Sequence, residues 1–311
     1  MKMTSISAVE LVSDQDRILG VASERRVLIV YNPVAGWRRL ARVMAVRGVL
    51  DRIGCSVELR TTEHAGHAEE IARTLRPGEC DVLAVAGGDG TINEVINGLS
   101  PGGPVLAVIP TGTANVLAHE MGLAFAPEAI GRLIAQAQPA PVNLGLANGR
   151  RFAMMAGVGY DAHVVAGVTP ALKRRLRKLA YVWRSLVQMP TFDYRGYRVT
   201  IDGRPHEAAS AIISNGRYYA GRFVCAPEAR LDRAQFHVCL FKRSGPFNVM
   251  RYGLALVTNR LSTLKDFEIH PGHVVEIDGA VGEPVQADGD IIARLPVRIT
   301  LAEQPLWVLR P

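Results

Sequence analysis

The chain has 311 residues, more than one compact domain usually holds, so we expect two domains with a ligand-binding cleft between them. Its hydrophobic content of 48% and charged content of 21% exclude a disordered chain. The formal charge of +7 indicates polyanionic partners, and no run is apolar and long enough to span a bilayer. Its four cysteines form no CxxC pair, which argues against a zinc site.

Residues 1–25 form an N-terminal extension without the hydrophobic region of a signal peptide, and a cytoplasmic location is expected. From residue 26 onward, short apolar runs alternate with segments of helical periodicity. The predicted strands are 27–31, 57–59, 82–86 and 105–109, and the predicted helices are 37–53, 68–75 and 92–99. This alternation predicts an α/β domain over 26–139 with a parallel sheet, which the C-terminal segment 302–311 is a candidate to complete.

After about residue 139 the pattern changes to longer alternating segments separated by Gly, Asp and Pro turns. The clearest of these predicted strands are 197–201, 236–241, 274–277 and 297–301. Helical patterns interrupt them at about 170–189 and 246–260. The second half, 140–301, is therefore predicted to be a mainly antiparallel β-sandwich domain with helical inserts.

A glycine-rich turn follows the third predicted strand and opens a helix. Its residues are Gly87, Gly88, Asp89, Gly90 and Thr91. Glycines let the backbone approach a ligand, and the amides that open a helix attract phosphate. A carboxylate beside phosphate requires a cation between them, so Asp89 indicates magnesium. A plain glycine turn is the alternative for this loop taken alone.

Two further polar turns are expected at the same edge of the sheet. One follows the first strand and contains Asn32, Pro33 and Gly36, and the other follows the fourth strand and contains Thr111, Gly112, Thr113 and Asn115. The carboxyl ends of parallel strands meet at one edge, which is where such sheets bind ligands. The three turns are therefore predicted to converge on one site.

These turns carry motifs that are similar to a known family. YNPVAG, GGDGTINEVINGL and PTGTANVLA follow one another, and FAMMAGVGYDA, SNGRYYAGRFVCAPEA and QADGD occur in the second half. Together they resemble the diacylglycerol kinase catalytic family, including bacterial diacylglycerol and sphingosine-type lipid kinases. The resemblance implies an enzyme of phospholipid metabolism that transfers the γ-phosphoryl group of ATP to the hydroxyl of a membrane lipid, such as diacylglycerol or a sphingoid base.

The resemblance also implies the roles of individual residues. ATP would contact Asn32, Pro33, Gly36, Thr62, Gly87, Gly88, Asp89, Gly90, Thr91, Asn93, Glu94, Thr113 and Asn115. Asp288 would be the general base, and Asp89 and Asp290 would hold the catalytic Mg²⁺. Asp290 stands where the family usually has a glutamate. Helix caps and turn hydrogen bonds are the alternative for the polar side chains, and a hairpin turn is the alternative for the Asp288–Gly289 pair.

Two positions depart from the family pattern. Arg233 stands in the loop 230–235 where a ligand aspartate is expected, and a guanidinium has no lone pair for a cation. We therefore expect the secondary structural magnesium site to be absent, with Arg233 supplying part of its charge. Val116 follows Asn115 where an aspartate is frequent.

Residues 169–190 combine an apolar stripe with cations and contain no acidic residue. The stripe is Leu172, Leu176, Leu179, Trp183 and Leu186, and the cations are Lys173, Arg174, Arg175, Arg177, Lys178 and Arg184. Such a helix suits peripheral contact with an anionic membrane, here the inner face of the cell membrane. Packing on its own domain is the equal alternative, and a homodimer is compatible with the sequence.

Three other functions are compatible with parts of the sequence. An NAD kinase-like enzyme shares the glycine loop and the two-domain plan, but PTGTANVLA and QADGD resemble lipid kinases. A catalytically inactive nucleotide or lipid sensor is suggested by Arg233 and Val116, whereas Asp89 and Asp288 argue for activity. Nucleic-acid binding is not expected, because aromatic residues make up only 6% and no basic stretch is interleaved with them.

Overall fold

The computed structural model of the protein describes residues 25–33, 37–168 and 179–311. In this part, the strands are β1 (Arg26–Tyr31), β2 (Ser56–Thr61), β3 (Val82–Gly87), β4 (Val105–Pro110), β5 (Pro139–Val142), β6 (Gly145–Ala147), β7 (Arg150–Phe152), β8 (Met155–Val158), β9 (Tyr197–Ile201), β10 (Arg204–Ala208), β11 (Ser210–Ser214), β12 (Tyr218–Tyr219), β13 (Phe223–Val224), β14 (Phe236–Phe241), β15 (Phe267–Gly272), β16 (Val275–Asp278), β17 (Pro284–Ala287), β18 (Asp290–Arg294), β19 (Val297–Leu301) and β20 (Leu306–Leu309). The helices are α1 (Trp37–Ile53), α2 (His67–Thr74), α3 (Asp89–Gly98), α4 (Val116–Glu120), α5 (Pro127–Gln136), α6 (Tyr160–Ala166), α7 (Leu179–Gln188) and α8 (Pro246–Val257).

The first structural unit is a six-stranded sheet in the order β2-β1-β3-β4-β20-β5. Strands β1 to β4 are parallel, β20 joins β4 in parallel, and β5 pairs with β20 in antiparallel fashion. The register pairs Tyr31 with Ala86 and Gly87 with Pro110. Tyr31, Gly87 and Pro110 are the last residues of β1, β3 and β4, and the register places them next to one another. The turns that follow these three strands therefore begin side by side at one edge of the sheet.

Helices cover both faces of this sheet because its strands β1, β3 and β4 are apolar and buried at nearly every position. Alternate residues of one strand enter different cores: Leu28 and Val30 pack with α2 and α3, while Val27 and Ile29 pack with α1 and α5. Such two-sided burial is typical of parallel sheets. The predicted α/β architecture is confirmed here, and α3 begins at Asp89, three residues before its predicted start.

The second unit is a sandwich of two six-stranded sheets, in the orders β10-β9-β16-β19-β6-β7 and β15-β14-β11-β8-β17-β18. All their strand pairs in the described residues are antiparallel. The largest side chains of the core between the sheets are Tyr197, Phe152 and Phe236, each 1% exposed or less. The predicted antiparallel β-sandwich is confirmed.

The helical inserts lie outside this sandwich core. α8 occupies most of the predicted segment 246–260, whereas only the second half of the predicted helix 170–189 is described, as α7. Residues 1–24 and 170–178 lie outside the described residues. The second of these segments contains the cations at 173–178 that are candidates for membrane contact. The first domain is predicted to end at residue 139, but strand β5 covers Pro139–Val142 and pairs with β20. β5 therefore belongs to the first sheet.

Side chains at the start of the second unit attach it to α2 and α3. The Arg151 guanidinium donates hydrogen bonds to the carbonyl oxygens of Ile96 at 2.9 Å and Leu99 at 2.7 Å. Arg150 forms an ion pair with Glu69 at 3.0 Å. Because α3 also begins at the glycine-rich turn, these contacts fix the second unit relative to the predicted phosphate site.

Candidate active site

The glycine-rich turn links β3 directly to α3. Gly88 is the N-cap residue, and Asp89, Gly90 and Thr91 form the first helical turn. The amide groups of a first helical turn have no carbonyl partner within the helix, and the helix dipole makes this end positive. The turn therefore has the physical features of a phosphate site, as the sequence predicts.

A close backbone contact joins this turn to the one that follows β4. A Cβ atom placed on Gly112 would lie 2.5 Å from the Gly88 Cα and 2.6 Å from the Asn115 Oδ1. A side chain at residue 112 would therefore push the two turns apart. The convergence expected from the strand order is present, and it depends on glycine at residue 112, whereas a Cβ atom on Gly88 would make a tight contact of 3.2 Å with the Gly112 Cα.

The turn after β1 reaches the same place through a side chain. The Asn32 Nδ2 donates to the Thr91 Oγ1 at 3.1 Å, and the Asn32 amide donates to the Ala86 carbonyl at 3.2 Å. Thr62 is buried at the end of β2, while Pro33 and Thr113 are exposed. Gly36 lies outside the described residues.

Two of the predicted nucleotide contacts have structural partners instead. The Glu94 carboxylate accepts a hydrogen bond from the Ala68 amide at 3.3 Å, in the first turn of α2. The buried Asn93 accepts hydrogen bonds from Asn97 Nδ2, through its carbonyl at 2.9 Å and its Oδ1 at 3.1 Å. Asn97 in turn accepts from the Arg151 amide. The cap and packing alternative thus describes the contacts of both residues.

The turn after β4 contains two of the buried polar atoms that have no hydrogen-bond partner in the described residues. They are the Thr111 Oγ1 and the Asn115 Oδ1. Asn115 also has a left-handed backbone with a φ of 50°, a conformation that asparagine adopts more readily than most residues. Because buried polar atoms are usually paired, these two atoms are available to a ligand at this edge of the sheet.

Asp89 is oriented by the amides that open α4. Its Oδ1 accepts a hydrogen bond from the Val116 amide at 2.7 Å. Burial raises the pKa of the carboxyl group, and hydrogen bonds from the backbone of Val116, Leu117 and Asn115 oppose this change. The Val116 side chain is 8% exposed and apolar, so this position contributes its amide and offers no cation ligand.

Asp288 approaches the cleft from the second unit. Its Oδ2 accepts from the Ala153 amide at 2.7 Å, and its Oδ1 accepts from the Met154 and Met155 amides at 3.0 Å each. The pKa of Asp288 is raised to about 6, mainly by burial and in smaller part by the charge of Asp89, against the effect of these amides. A carboxylate with this pKa is ionised at neutral pH yet basic enough to accept a proton.

The third carboxylate, Asp290, is exposed and lies against the glycine-rich turn. A Cβ atom on Gly90 would be 3.3 Å from the Asp290 Oδ2. Asp89, Asp288 and Asp290 therefore bring negative charge from both units to one place. Three carboxylates that share a cleft repel one another unless a cation is bound, and carboxylate oxygens are the ligands that Mg²⁺ prefers. The carboxylate chemistry suits Mg²⁺, although the oxygens of these three residues do not all lie within 4.8 Å of one another in the described residues.

Sequence reasoning did not assign roles to the side chains behind Asp288. The Gln286 Oε1 accepts from the Gly289 amide at 3.2 Å, and its Nε2 donates to the Asp161 Oδ2 at 2.8 Å. The Tyr219 hydroxyl donates to the other oxygen of Asp161. Asp161 lies in the GYDA motif and Gln286 in the QADGD motif, so the motifs contained the signal. Together these three residues support the turn that carries Asp288.

Comparison with known proteins decides the family. The model of the diacylglycerol kinase catalytic domain matches residues 26–147, and the model of the YegS C-terminal NAD kinase beta sandwich-like domain matches residues 154–310. The chain belongs to the diacylglycerol kinase catalytic-domain family. It is an ATP-dependent lipid kinase, and the NAD kinase-like alternative is not favoured. The likeness of the second domain to NAD kinases accounts for the two-domain plan that the two families share.

Relatives of this lipid kinase match it along almost their whole length. A diacylglycerol kinase of Bacillus subtilis (strain 168) is 27% identical over 299 residues, which cover 92% of this chain and 97% of the relative. A diacylglycerol kinase of Staphylococcus carnosus (strain TM300) is 25% identical, with coverages of 92% and 95%. The crystal structure of a diacylglycerol kinase from Bacillus anthracis strain Sterne has a TM-score of 0.71 at 22% identity, covers 92% and 97% of the two chains, and shows the same fold.

The loop where the family pattern is altered has its own charge balance. Asp232 forms ion pairs with Arg230 at 2.8 Å and Arg310 at 3.6 Å. The side-chain hydrogen bond from Arg230 lowers the pKa of Asp232 to about 2, although burial opposes the change. Arg230 and Arg310 therefore supply the positive charge at Asp232, while Arg233 is exposed.

A group of possible metal ligands lies on the outer strands of the sandwich. His206 on β10, and Glu268 and His270 on β15, have ligand atoms within 4.8 Å of one another. The Lys242 ammonium lies 3.6 Å from the Glu268 carboxylate, so this carboxylate already has a cation beside it. The group has no contact with the cleft among the interactions of the described residues.

Among the described residues, no helix has the length and apolar character that crossing a membrane requires.

Proposed function

We propose that the kinase phosphorylates the hydroxyl of a membrane lipid alcohol, with diacylglycerol as the first candidate and a sphingoid base as the second. The relatives named diacylglycerol kinase support this acceptor class. The observation that carries the proposal is Asp288, a base of suitable pKa held opposite a phosphate-binding turn.

The nucleotide is proposed to bind along the edge where the three turns converge. The amides of Gly88, Asp89 and Gly90 would hold phosphate oxygens at the positive end of α3. Asn32, Thr62, Thr113 and Asn115 would line the remainder of the pocket. For Asn93 and Glu94 the proposed role is indirect, because their side chains fix α3 against Arg151 and α2.

Asp89 and Asp290 are proposed to hold Mg²⁺. When bound, the ion neutralises the negative charge of the phosphates and of the transferring group. Asp89 is preorganised for this task, because the amide of Val116 fixes the direction of its carboxylate. Asp290 approaches from the other unit, so metal binding would also hold the cleft together.

Asp288 is proposed to act on the acceptor hydroxyl. As the hydroxyl oxygen forms its bond to the γ-phosphorus, its proton passes to an oxygen of Asp288, and the bond from phosphorus to the bridging oxygen breaks to release ADP. The amides of residues 153–155 keep the carboxylate in position during this transfer. Asp288 then returns its proton to solvent.

The protein is proposed to reach its substrate by peripheral contact with the inner, anionic face of the cell membrane from the cytoplasm. The exposed side chains of Trp183 and Leu186 on α7 and the cations of 173–178 in the sequence support this contact. Arg184, by contrast, has a buried Nε atom that packs against Gly167. A homodimer is compatible with this arrangement.

Incubation with γ-labelled ATP and a panel of lipid alcohols in mixed micelles tests the proposal, with NAD in the same panel. We expect labelled lipid in the presence of Mg²⁺, loss of labelling with EDTA, and loss of labelling with Asp288→Asn or Asp89→Asn. Labelled lipid that survives both substitutions would show that the active site lies elsewhere. Labelled NAD would show that the acceptor class is wrong.

A further inference from the structure

The helix α8 exposes a stripe of large apolar side chains. Four of its residues are apolar and more than half exposed: Phe247 (72%), Met250 (58%), Leu254 (66%) and Val257 (60%). They follow one another at intervals of three, four and three residues, so they share one side of the helix. We call these four residues the α8 face. The opposite side of α8 buries Tyr252 and Ala255 in the core.

This distribution is unusual for a helix at a protein surface. A helix that packs on a domain normally directs its apolar residues inward and its polar residues to water. Here both sides carry apolar side chains, and four of the large ones are on the outer side. Contiguous exposed apolar surface of this kind marks a place where a protein meets a partner or a membrane.

α8 and the end of α7 pack on one shared cluster. Val249 of α8 and Met189, one residue beyond α7, contact the small cluster around Tyr160. On α7, Trp183 is 57% exposed and Leu186 is 56% exposed. Both helices therefore expose large apolar side chains in the same part of the second unit.

The charge around α8 indicates what covers it. The segment 242–265 contains five cationic and no acidic residues: Lys242, Arg243, Arg251, Arg260 and Lys265. Lys242 pairs with Glu268, and Arg243 and Arg251 pair with Asp266, so these three cations are balanced by acidic residues. Arg260 and Lys265 are exposed and carry the remaining positive charge. An apolar face bordered by cations suits an interfacial helix and an anionic lipid surface.

A chain of contacts connects α8 to the acceptor side of the cleft. α8 lies against β13, which pairs with β12. Tyr219 of β12 donates its hydroxyl proton to a hydrogen bond with Asp161, and Asp161 accepts another from Gln286, two residues before Asp288. α8 and the turn that carries the proposed general base therefore belong to one connected part of the second unit.

We infer that the α8 face inserts into the interfacial region of an anionic bilayer and brings the acceptor side of the cleft to the lipid surface. The inference rests on the proposed function, because only a lipid acceptor has to be reached in a bilayer. It names a surface that is separate from the basic segment 173–178.

Vesicle binding without nucleotide tests the inference on the full chain. The probes are vesicles of phosphatidylcholine alone and of phosphatidylcholine mixed with phosphatidylglycerol, and the readout is co-sedimentation. Phe247→Ser/Leu254→Ser removes the two most exposed side chains of the face. Val281→Ser is the matched control, since Val281 is apolar, 88% exposed and located in the turn between β16 and β17. Arg260→Gln/Lys265→Gln tests the charges.

We expect the double serine variant to lose at least about tenfold in partitioning to mixed vesicles, with the control unchanged. The glutamine variant should lose only the salt-sensitive, anionic-lipid part of binding. Unchanged sedimentation of the serine variant would overturn the inference. So would a wild-type dimer that the same substitutions convert to a monomer in light scattering, since the face would then bind a second copy.

A second readout separates this inference from the proposed function. Phosphorylation of a water-dispersed, short-chain diacylglycerol should persist in the serine variant, while phosphorylation of a long-chain acceptor in vesicles falls with binding. A wild-type protein that binds vesicles through the α8 face but phosphorylates no lipid alcohol would contradict the proposed acceptor and leave the docking surface standing.

Discussion

The two sides of the cleft use the same residue type in different ways. On the nucleotide side, Asp89 belongs to the first turn of α3 and accepts from an amide 27 residues later, inside the same unit. On the acceptor side, Asp288 accepts from three amides that precede it by 133 to 135 residues. One side is assembled from local chain segments, and the other depends on distant ones.

The difference shows how one enzyme can keep a cation ligand and a proton acceptor close together. Burial raises the pKa of both carboxyl groups, but the surroundings of Asp288 leave it near 6 with its two oxygens fixed by amides. Because the Asp89 charge contributes to this shift, the two sides are coupled electrostatically. Substitutions on each side of the cleft therefore test this difference.

The largest expected effect is that of Asp288→Asn. The amide cannot take up the acceptor proton, so kcat should fall by about a hundred- to ten-thousand-fold. Binding of ADP, measured by calorimetry, should stay within about twofold, because the nucleotide side is assembled independently. Asp278→Asn, at an exposed position on β16, is the control and should leave kcat unchanged. A variant that retains more than about a tenth of the activity would contradict the role of Asp288.

Gly112→Ala should damage the nucleotide side selectively. Its Cβ would lie 2.5 Å from the Gly88 backbone, which is closer than packed atoms allow. We expect the KM for ATP to rise about tenfold or more and the free energy of unfolding to fall by about 1–3 kcal/mol. Gly48→Ala in α1, where no atom lies within 4 Å of the new Cβ, should instead stabilise the protein by roughly 0.5–1 kcal/mol. Equal behaviour of the two variants would refute the argument.

The pH dependence should report the raised pKa of Asp288. A proton bound below a pKa of about 6 blocks the base, so kcat/KM should fall roughly tenfold per pH unit below that value and level off above it. Because the pKa of Asp288 rises on folding from its ordinary value of 3.8 to about 6, its contribution to folding stability is present below pH 3.8 and decreases as the pH rises to about 6. In a carboxyl NMR titration without metal, Asp89→Asn should lower this pKa. A pKa that does not move would show that the two carboxylates are not coupled.

The smallest expected effect is that of Glu94→Gln. Its carboxylate accepts from the Ala68 amide at the start of α2, so the substitution should lower the free energy of unfolding by no more than about 1 kcal/mol. The KM for ATP should remain within about twofold of wild type. Exposed Glu63→Gln, just before α2, is a suitable control for thermal unfolding. A large rise in KM with unchanged stability would restore Glu94 to the nucleotide pocket.

Much of the fold and the nucleotide side could be predicted from local pattern. The strands β1, β3 and β4 are predictable because burial on both faces leaves a continuous apolar run. The helix 37–53 is predictable from its helical periodicity, because only one side of it is buried. The short strands of the sandwich, such as β6, β7 and β8, were not individually predicted, since three or four residues are too few for a reliable period. For Glu94 the sequence leaves both a nucleotide contact and a cap hydrogen bond open, because it does not show which side of α3 meets α2.

The residue pattern alone predicts a parallel sheet whose strands end in glycine and polar turns at one edge, because alternating strands and helices form parallel sheets with right-handed crossovers. It also determined the family, since the motifs are long and ordered. The pKa of Asp288, the contacts of Asp161 and Gln286, and the exposure of the α8 face could not be predicted from the sequence and follow from the tertiary structure. These properties depend on which distant segments exclude water from a group, and that is set by packing between units that no local pattern encodes.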